Sequence, residues 1–322
     1  MTRRVAAVDC GTNSVRLLLA DVDPGRARLT DVVRRMEIVR LGQGVDQTGR
    51  LAPEALARTI AVLRDYADII AGSGAQAVRM VATSATRDAA NAAEFVRQVK
   101  EVLGVAPEVL SGAEEAMLSF TGATAELATE PGGGPYLVAD IGGGSTEFVL
   151  SPPALDGVSR PGKAPRPPRA ISVNIGCVRI TERHLHGDPP TGPEVSAALV
   201  DIDAALDTVA AAVPVQRAST LIGLAGSVTT VAAIALGLPA YDATRIHHAR
   251  VGSAQVHAVT RGLLAQTRAA RAAVGVMHPG RVDVIGGGAL VLDRLMERFG
   301  FREVLASEHD ILDGMAWSLA GD

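Results

Sequence analysis

Aromatic residues make up only 3% of this 322-residue chain, and there is a single tryptophan. Stacking platforms for nucleic-acid bases have little to be built from, and the core must come from many small aliphatic contacts. Cysteine is nearly missing: Cys10 and Cys177 lie far apart and form no CxxC pair. That excludes a disulfide scaffold or a zinc ribbon and suits a reducing, cytoplasmic setting. An excess of positive charge is lacking as well. The formal net charge is −4, so there is no global attraction to DNA, RNA or an anionic membrane surface. No run approaches the roughly 18 uncharged apolar residues that would span a bilayer. The opening "MTRRVAAVDC" enters a strand-like run without the apolar region of a signal peptide. The seven histidines, among them "HLH" (184–186) and "HH" (247–248), sit outside any HExxH or fixed Cys/His spacing, so zinc is not expected.

What is present is a globular composition, 48% hydrophobic and 20% charged, long enough for two domains. Residues 5–9 "VAAVD" and 15–20 "VRLLLA" read as strands flanking "CGTNS", with a third strand within 29–41. A helix at about 53–71 opens on Pro53 and closes on Gly72. A strand at 77–82, a helix from about 88, a short strand near 107–110 and a helix at about 113–128 follow. "TEPGGGP" (129–135) reads as a linker. Strands at 136–140, 146–150 and about 170–175 then restart the order. A helix within 192–212, a strand at 220–224, helices to about 299, a strand near 302–305 and a closing helix at 310–320 complete it. Shifted by 131 positions, the first hairpin places Asp9 on Asp140, Gly11 on Gly142 and Ser14 on Ser145. Shared letters in a shared context indicate two copies of one β/α unit. The expected domains are 1–128 and 136–322, with the closing helix packing back on the first, and two facing copies would frame a cleft.

"VADIGGGSTEFVL" (138–150) puts three glycines between two strands, where a plain hairpin turns on one Asn-Gly or Gly-Gly pair. Glycines there remove Cβ atoms, so successive backbone N–H groups can point at one anion. Thr12, Asn13, Ser14, Ser145 and Thr146 add side-chain donors at the same tips. Asp9 and Asp140, closing the first strand of each copy, are out of place beside an anion unless a divalent cation lies between carboxylate and phosphate. Mg²⁺ takes few protein carboxylates and fills its shell with phosphate oxygens and water. Glu147 is a further ligand or a partner of one.

Two more stretches fit a phosphate. "TSATRDAAN" (83–91) leaves a strand and enters a helix, placing Arg87 near the helix start, where a cation opposes the dipole unless an anion sits nearby. "LSGAEEAML" (110–118) puts Glu114 and Glu115 in a first helical turn, where acids are ordinary dipole partners. Locally, neither is singled out. "SRPGKAPRPPR" (159–169) has four cations and no acid; it reads as a Pro-rich excursion that could also steer a polyanion. Cys10 reads as a small buried hydrophobe.

Eight ordered stretches, "AAVDCGTNSVRLLLA", "VATSATRDAAN", "LSGAEEAMLSFTGA", "VADIGGGSTEF", "IGCVRITER", "LAGSVTTVAA", "HPGRVDVIGGGALVL" and "SEHDILDG", resemble the exopolyphosphatase/guanosine pentaphosphate phosphohydrolase family over nearly the whole chain. The resemblance implies an α/β fold of duplicated ribonuclease-H-like domains, that of the actin, acetate-kinase and sugar-kinase superfamily, with an interdomain cleft. It implies Glu115 as catalytic base and Arg87 as phosphate-binding arginine. It places Asp140 and Glu147 at positions associated with Mg²⁺ (or Mn²⁺), with Asp9 as their counterpart in the first copy. Gly11, Thr12, Asn13 and Ser14, with Gly142, Gly143, Gly144, Ser145 and Thr146, fall in two phosphate loops. Gly226, Ser227 and Thr230 occupy the segment that holds a nucleotide in superfamily kinases and are expected to face the cleft. The longer family members carry a helical C-terminal region that this chain lacks, which points to short chains of polyphosphate. The expected activity is release of orthophosphate from the end of polyphosphate. The 5′ γ-phosphate of guanosine pentaphosphate (pppGpp) presents the same anhydride and remains open, as do a non-hydrolytic sensor, a kinase of the same superfold, and a homodimer.

Overall fold

In the computed structural model, residues 2–125, 127, 134–152 and 168–321 are described. Most of the linker 129–135 and of the basic stretch 159–169 lies outside them. In chain order the elements are β1 (Arg3–Cys10), β2 (Ser14–Asp23), β3 (Arg28–Ile38), α1 (Val45–Thr48), α2 (Pro53–Ser73), β4 (Ala77–Ala82), α3 (Ser84–Arg87), α4 (Ala92–Leu103), β5 (Glu108–Val109) and α5 (Gly112–Thr124). Then come β6 (Tyr136–Ile141), β7 (Thr146–Leu150), β8 (Arg169–Val173), α6 (Cys177–His184), α7 (Gly192–Ala212), β9 (Thr220–Leu224), α8 (Ala225–Ala235), α9 (Ala243–Ile246), β10 (Arg250–Gly252), α10 (Ser253–Ala265), α11 (Arg268–Ala272), α12 (Ile285–Phe299), β11 (Glu303–Ala306) and α13 (Ile311–Gly321). Two compact units result: Met1–Ala125 with His309–Asp322, and Glu126–Glu308.

The first unit's sheet has the order β3-β2-β1-β4-β5, antiparallel across β1–β2–β3 and parallel across β1–β4–β5. The second has β8-β7-β6-β9-β11, with the same mixture of directions and β10 added antiparallel at the edge. One mixed α/β plan is thus built twice. In β1, period-two alternation sends side chains to two buried faces. Ala6, Val8 and Cys10 join a core with Leu63 and Phe95 of α2 and α4, while Val5 and Ala7 meet Ile311, Leu312 and Met315 of α13. Asp9 shares parity with Val5 and Ala7, so it points to the α13 face; that placement decides its partners.

Helices α5 and α13 cross on that face with their backbones nearly touching. A Cβ on Gly122 would lie 1.8 Å from the Asp310 carbonyl oxygen, and one on Gly314 would lie 2.0 Å from that of Leu118. Any side chain at either position would force the helices apart. The second unit's core joins Leu137, Ile141 and Phe148 of its sheet to Ile202 and Leu206 of α7, Val231 of α8 and Leu292 of α12. Among the described residues no helix is long and apolar enough to cross a membrane.

Candidate active site

In the first unit, the carboxyl ends of the parallel strands β1, β4 and β5 deliver the candidate residues to one edge, where open α/β sheets hold their ligands. β1 ends in the tip Gly11–Asn13, β4 runs into α3 with Arg87, and β5 leads through Ser111 into α5 with Glu115. Thr83 N–H donates to the Cys10 carbonyl at 3.2 Å, tying the root of α3 to the root of the tip.

The two acids at the start of α5 part company. Ser111 caps the helix: its hydroxyl accepts from Glu114 N–H, and Glu114 Oε2 accepts from Ser111 N–H at 2.9 Å and from its hydroxyl at 2.7 Å. This reciprocal capping box absorbs the exposed Glu114. Glu115 is only 9% exposed and accepts from Arg87 Nη1 at 3.1 Å, while the same nitrogen donates to the Leu110 carbonyl at 2.9 Å. Nε and Nη2 of Arg87 engage no acceptor among the described residues. Arg87 does not start a helix, as expected from the sequence, but closes the four-residue α3; α4 begins only at Ala92. The dipole argument therefore fails for it, and its proximity to Glu115 replaces that argument.

The first tip is cradled by residues 39–42. Val39 and Arg40 N–H groups donate to the Asn13 carbonyl at 3.0 and 2.9 Å, and Gly42 N–H to that of Thr12 at 2.8 Å. Gly42 must be glycine, since its Cβ would lie 2.3 Å from Thr12 Cγ2. Asp9, 3% exposed, accepts from Arg16 Nη2 at 2.6 Å and Nε at 3.0 Å, both on Oδ2. Arg16 also bonds Asp310, and Asp9 Oδ1 has no partner among the described residues. Burial pushes the Asp9 carboxyl above its ordinary range, Arg16 opposing and Asp310 adding. Burial and neighbouring Asp9 drive the Cys10 thiol well above its usual value, so it is inert.

The second tip shows what three glycines accomplish. Gly142 N–H closes the turn on the Ser145 carbonyl at 3.1 Å. The Gly142 carbonyl accepts from Cys177 N–H at 2.9 Å, that of Gly143 from Val178 and Arg179 N–H at 2.9 and 3.1 Å, and that of Gly144 from Arg179 Nε at 2.7 Å. All three carbonyls are drawn to the first turn of α6. In a planar trans peptide the following N–H points the opposite way. The amides of Gly143, Gly144 and Ser145 are thus presented away from α6, and none has an acceptor among the described residues. Consecutive free amides form an anion-binding nest. Thr146, fully buried, instead spends its hydroxyl on the Ile175 carbonyl at 2.6 Å. Sequence reasoning assigned no role to α6 or to Gly176, whose Cβ would meet the Gly143 oxygen at 2.5 Å. A glycine just before "CVR" was the available signal.

A family model for the Ppx/GppA phosphatase family matches residues 18–321. This chain belongs to that family. Exopolyphosphatase 2 of Mycobacterium tuberculosis is 51% identical over 329 residues, covering 99% of this chain and 99% of that protein. Among solved structures, an exopolyphosphatase-like protein matches with a TM-score of 0.91 and 42% identity, over 99% of this chain and 98% of the other. The Aquifex aeolicus PPX-GPPA enzyme matches with a TM-score of 0.78 and 30% identity, over 99% and 100%.

In this Ppx/GppA phosphatase the three acids named for a metal differ. Asp140 and Glu147 are register partners across β6 and β7, so their carboxylates share one face; Glu147 also accepts from Ser172 at 2.7 Å. Hard oxygen donors of this kind suit Mg²⁺. The pair fits that ion. Asp9 stands opposite Arg16, which already supplies its cation. The segment at α8 also departs from expectation. Thr230 is fully buried, donates to the Gly226 carbonyl at 2.6 Å and accepts from Arg281 at 3.2 Å. Ser227 is buried against Cys177 and Gly288, and the Arg281 guanidinium occupies the space a Gly226 Cβ would need. Their polar groups serve internal packing rather than a ligand.

Proposed function

We propose that this Ppx/GppA phosphatase cleaves the terminal phosphoanhydride of short inorganic polyphosphate chains and releases orthophosphate. The observation that carries this reading is the buried Glu115 held by Arg87 at the same strand ends as the first tip. The names of its relatives at 51% and 42% identity agree with it. Glu115 accepts a proton from the attacking water. Arg87, with Nε and Nη2 uncommitted, offers a planar fork to phosphate oxygens. Each unit's tip offers amides to anionic oxygens, Thr12 and Asn13 in the first and Gly143, Gly144 and Ser145 in the second. Asp140 and Glu147 would hold Mg²⁺, which, when bound, neutralises charge on the phosphate oxygens.

Orthophosphate release measured side by side from polyphosphates of defined length and from pppGpp tests the assignment. Release from polyphosphate with higher kcat/KM at short lengths is the expected result. Release from pppGpp alone would transfer the assignment to the nucleotide, and release from neither would overturn it.

A further inference from the structure

Two of the unpartnered amides in the second tip belong to buried residues. Gly144 is buried, Ser145 is only 2% exposed, and neither N–H meets an acceptor among the described residues. Buried backbone N–H groups are almost always paired, so two orphans in one turn mark a place completed from outside the chain. What fixes the amides differs along the turn. The Gly142 and Gly143 carbonyls, which set the amides of Gly143 and Gly144, are held by backbone N–H groups of α6. The Gly144 carbonyl, which sets the amide of Ser145, is held by a side chain, through Arg179 Nε at 2.7 Å.

Arg179 is bound to the tip twice, since its own N–H also donates to the Gly143 carbonyl at 3.1 Å. It stands in the first turn of α6, where a cation opposes the helix dipole unless negative charge lies nearby. Here the negative ends of the tip peptides supply that charge. A charged donor makes a stronger bond than a neutral one, and a peptide whose carbonyl accepts becomes a better donor at its N–H. Planarity transmits the bond: turning the Gly144 carbonyl toward α6 turns the Ser145 N–H away from it. Glycine at position 144 leaves this peptide little resistance to rotation once the side chain is removed.

Resting on the proposed function, which makes the second tip a phosphate site, we propose that Arg179 is a positioning residue. Its guanidinium, acting through the Gly144 carbonyl, orients and strengthens the Ser145 amide as a donor to phosphate. Arg179→Ala should weaken orthophosphate binding by roughly three- to tenfold, the scale of one hydrogen bond. The damage should be confined to one amide. In amide NMR spectra, orthophosphate should shift the Gly143, Gly144 and Ser145 signals of the wild type, and the variant should lose the Ser145 response alone. Arg179→Lys keeps a charged donor and should recover part of the affinity; Arg179→Gln, a neutral donor, should recover less.

The test is an orthophosphate titration followed by amide NMR on the wild-type chain and the three Arg179 variants, with polyphosphate hydrolysis measured alongside. An affinity within twofold of wild type in Arg179→Ala, or an unchanged Ser145 response, overturns the inference. So does a loss of response spread over all three amides, because Arg179 would then hold the whole turn rather than one peptide. Tip amides that orthophosphate leaves unmoved in the wild type overturn it as well. A wild-type chain that binds orthophosphate at the tip but hydrolyses no polyphosphate rejects the proposed activity, while the Ser145 response still decides the role of Arg179.

Discussion

The two hairpin tips follow the same backbone scheme and opposite electrostatic ones. In each, a neighbouring segment captures the tip carbonyls: residues 39–42 in the first unit, the start of α6 in the second. In each, the following amides are turned outward. One register position beyond the tip the copies diverge. Asp9 faces Arg16, whereas Asp140 faces Glu147. The first row contains its own cation, shared with Asp310 of the segment entering α13. The second row sets two acids opposite each other. Duplication copied the donor geometry, which the backbone determines, and left the charge free to change, since a single side chain sets it.

The sharpest asymmetry lies in the first unit, and Glu115→Gln should show it. Turnover should fall by about 10²–10⁴-fold with the fold intact, the range for losing a positioned base. Glu114→Gln, one residue away, should cost only a fraction of about 1 kcal/mol of stability through the weakened cap. Equal turnover in the two variants would remove the distinction drawn from burial.

The rows themselves can be set against each other at equivalent positions. Arg16→Ala leaves Asp9 and Asp310 buried without their counter-ion and should destabilise the chain by about 3–5 kcal/mol in urea unfolding. Glu147→Gln should cost less than about 1 kcal/mol in metal-free buffer, because the amide keeps an acceptor for the Ser172 hydroxyl and relieves a facing like charge. The same variant should lose most of the melting-temperature rise that Mg²⁺ gives the wild-type protein. If both variants destabilise alike, the contrast between the two rows is wrong.

Much of this was legible in sequence because it is local. The strand order, the helix at 53–73 and the two glycine-bearing tips follow from periodicity and turn chemistry. The 131-residue shift even aligns Arg16 with Glu147, but their meaning needs the hairpin register that sets them opposite Asp9 and Asp140. What stayed hidden depends on distant chain. The bonds from Cys177–Arg179 to the second tip join segments more than thirty residues apart. Arg87 was read near a helix start because Ala-rich sequence follows it; Asn91, an N-cap residue type just before Ala92, was the mark of the break. Glu114 and Glu115 are interchangeable on a local helical scale; only tertiary contact, Arg87 on Glu115, separates the buried acid from the one that caps.

The smallest effect is the most specific to the first row. Burial is the main influence on Asp9 and raises its carboxyl above the ordinary 3.8; Asp310 adds to this and Arg16 opposes it. Between the ordinary and the raised value the folded chain binds more protons than the unfolded one. Stability from this group is therefore full below pH 3.8 and is lost as pH rises through the raised value. Asp21, Asp203 and Asp242, held below their usual range by hydrogen-bonding partners, contribute in the opposite direction. The difference between wild type and Asp9→Asn isolates the row. Measured by urea unfolding from pH 3 upward, the neutral variant should gain on the wild type as pH climbs past the ordinary carboxyl value. A gain for the wild type instead would mean that Arg16 outweighs burial, and the first row would then be a fully ionised salt bridge whose unpartnered Asp9 Oδ1 needs another explanation.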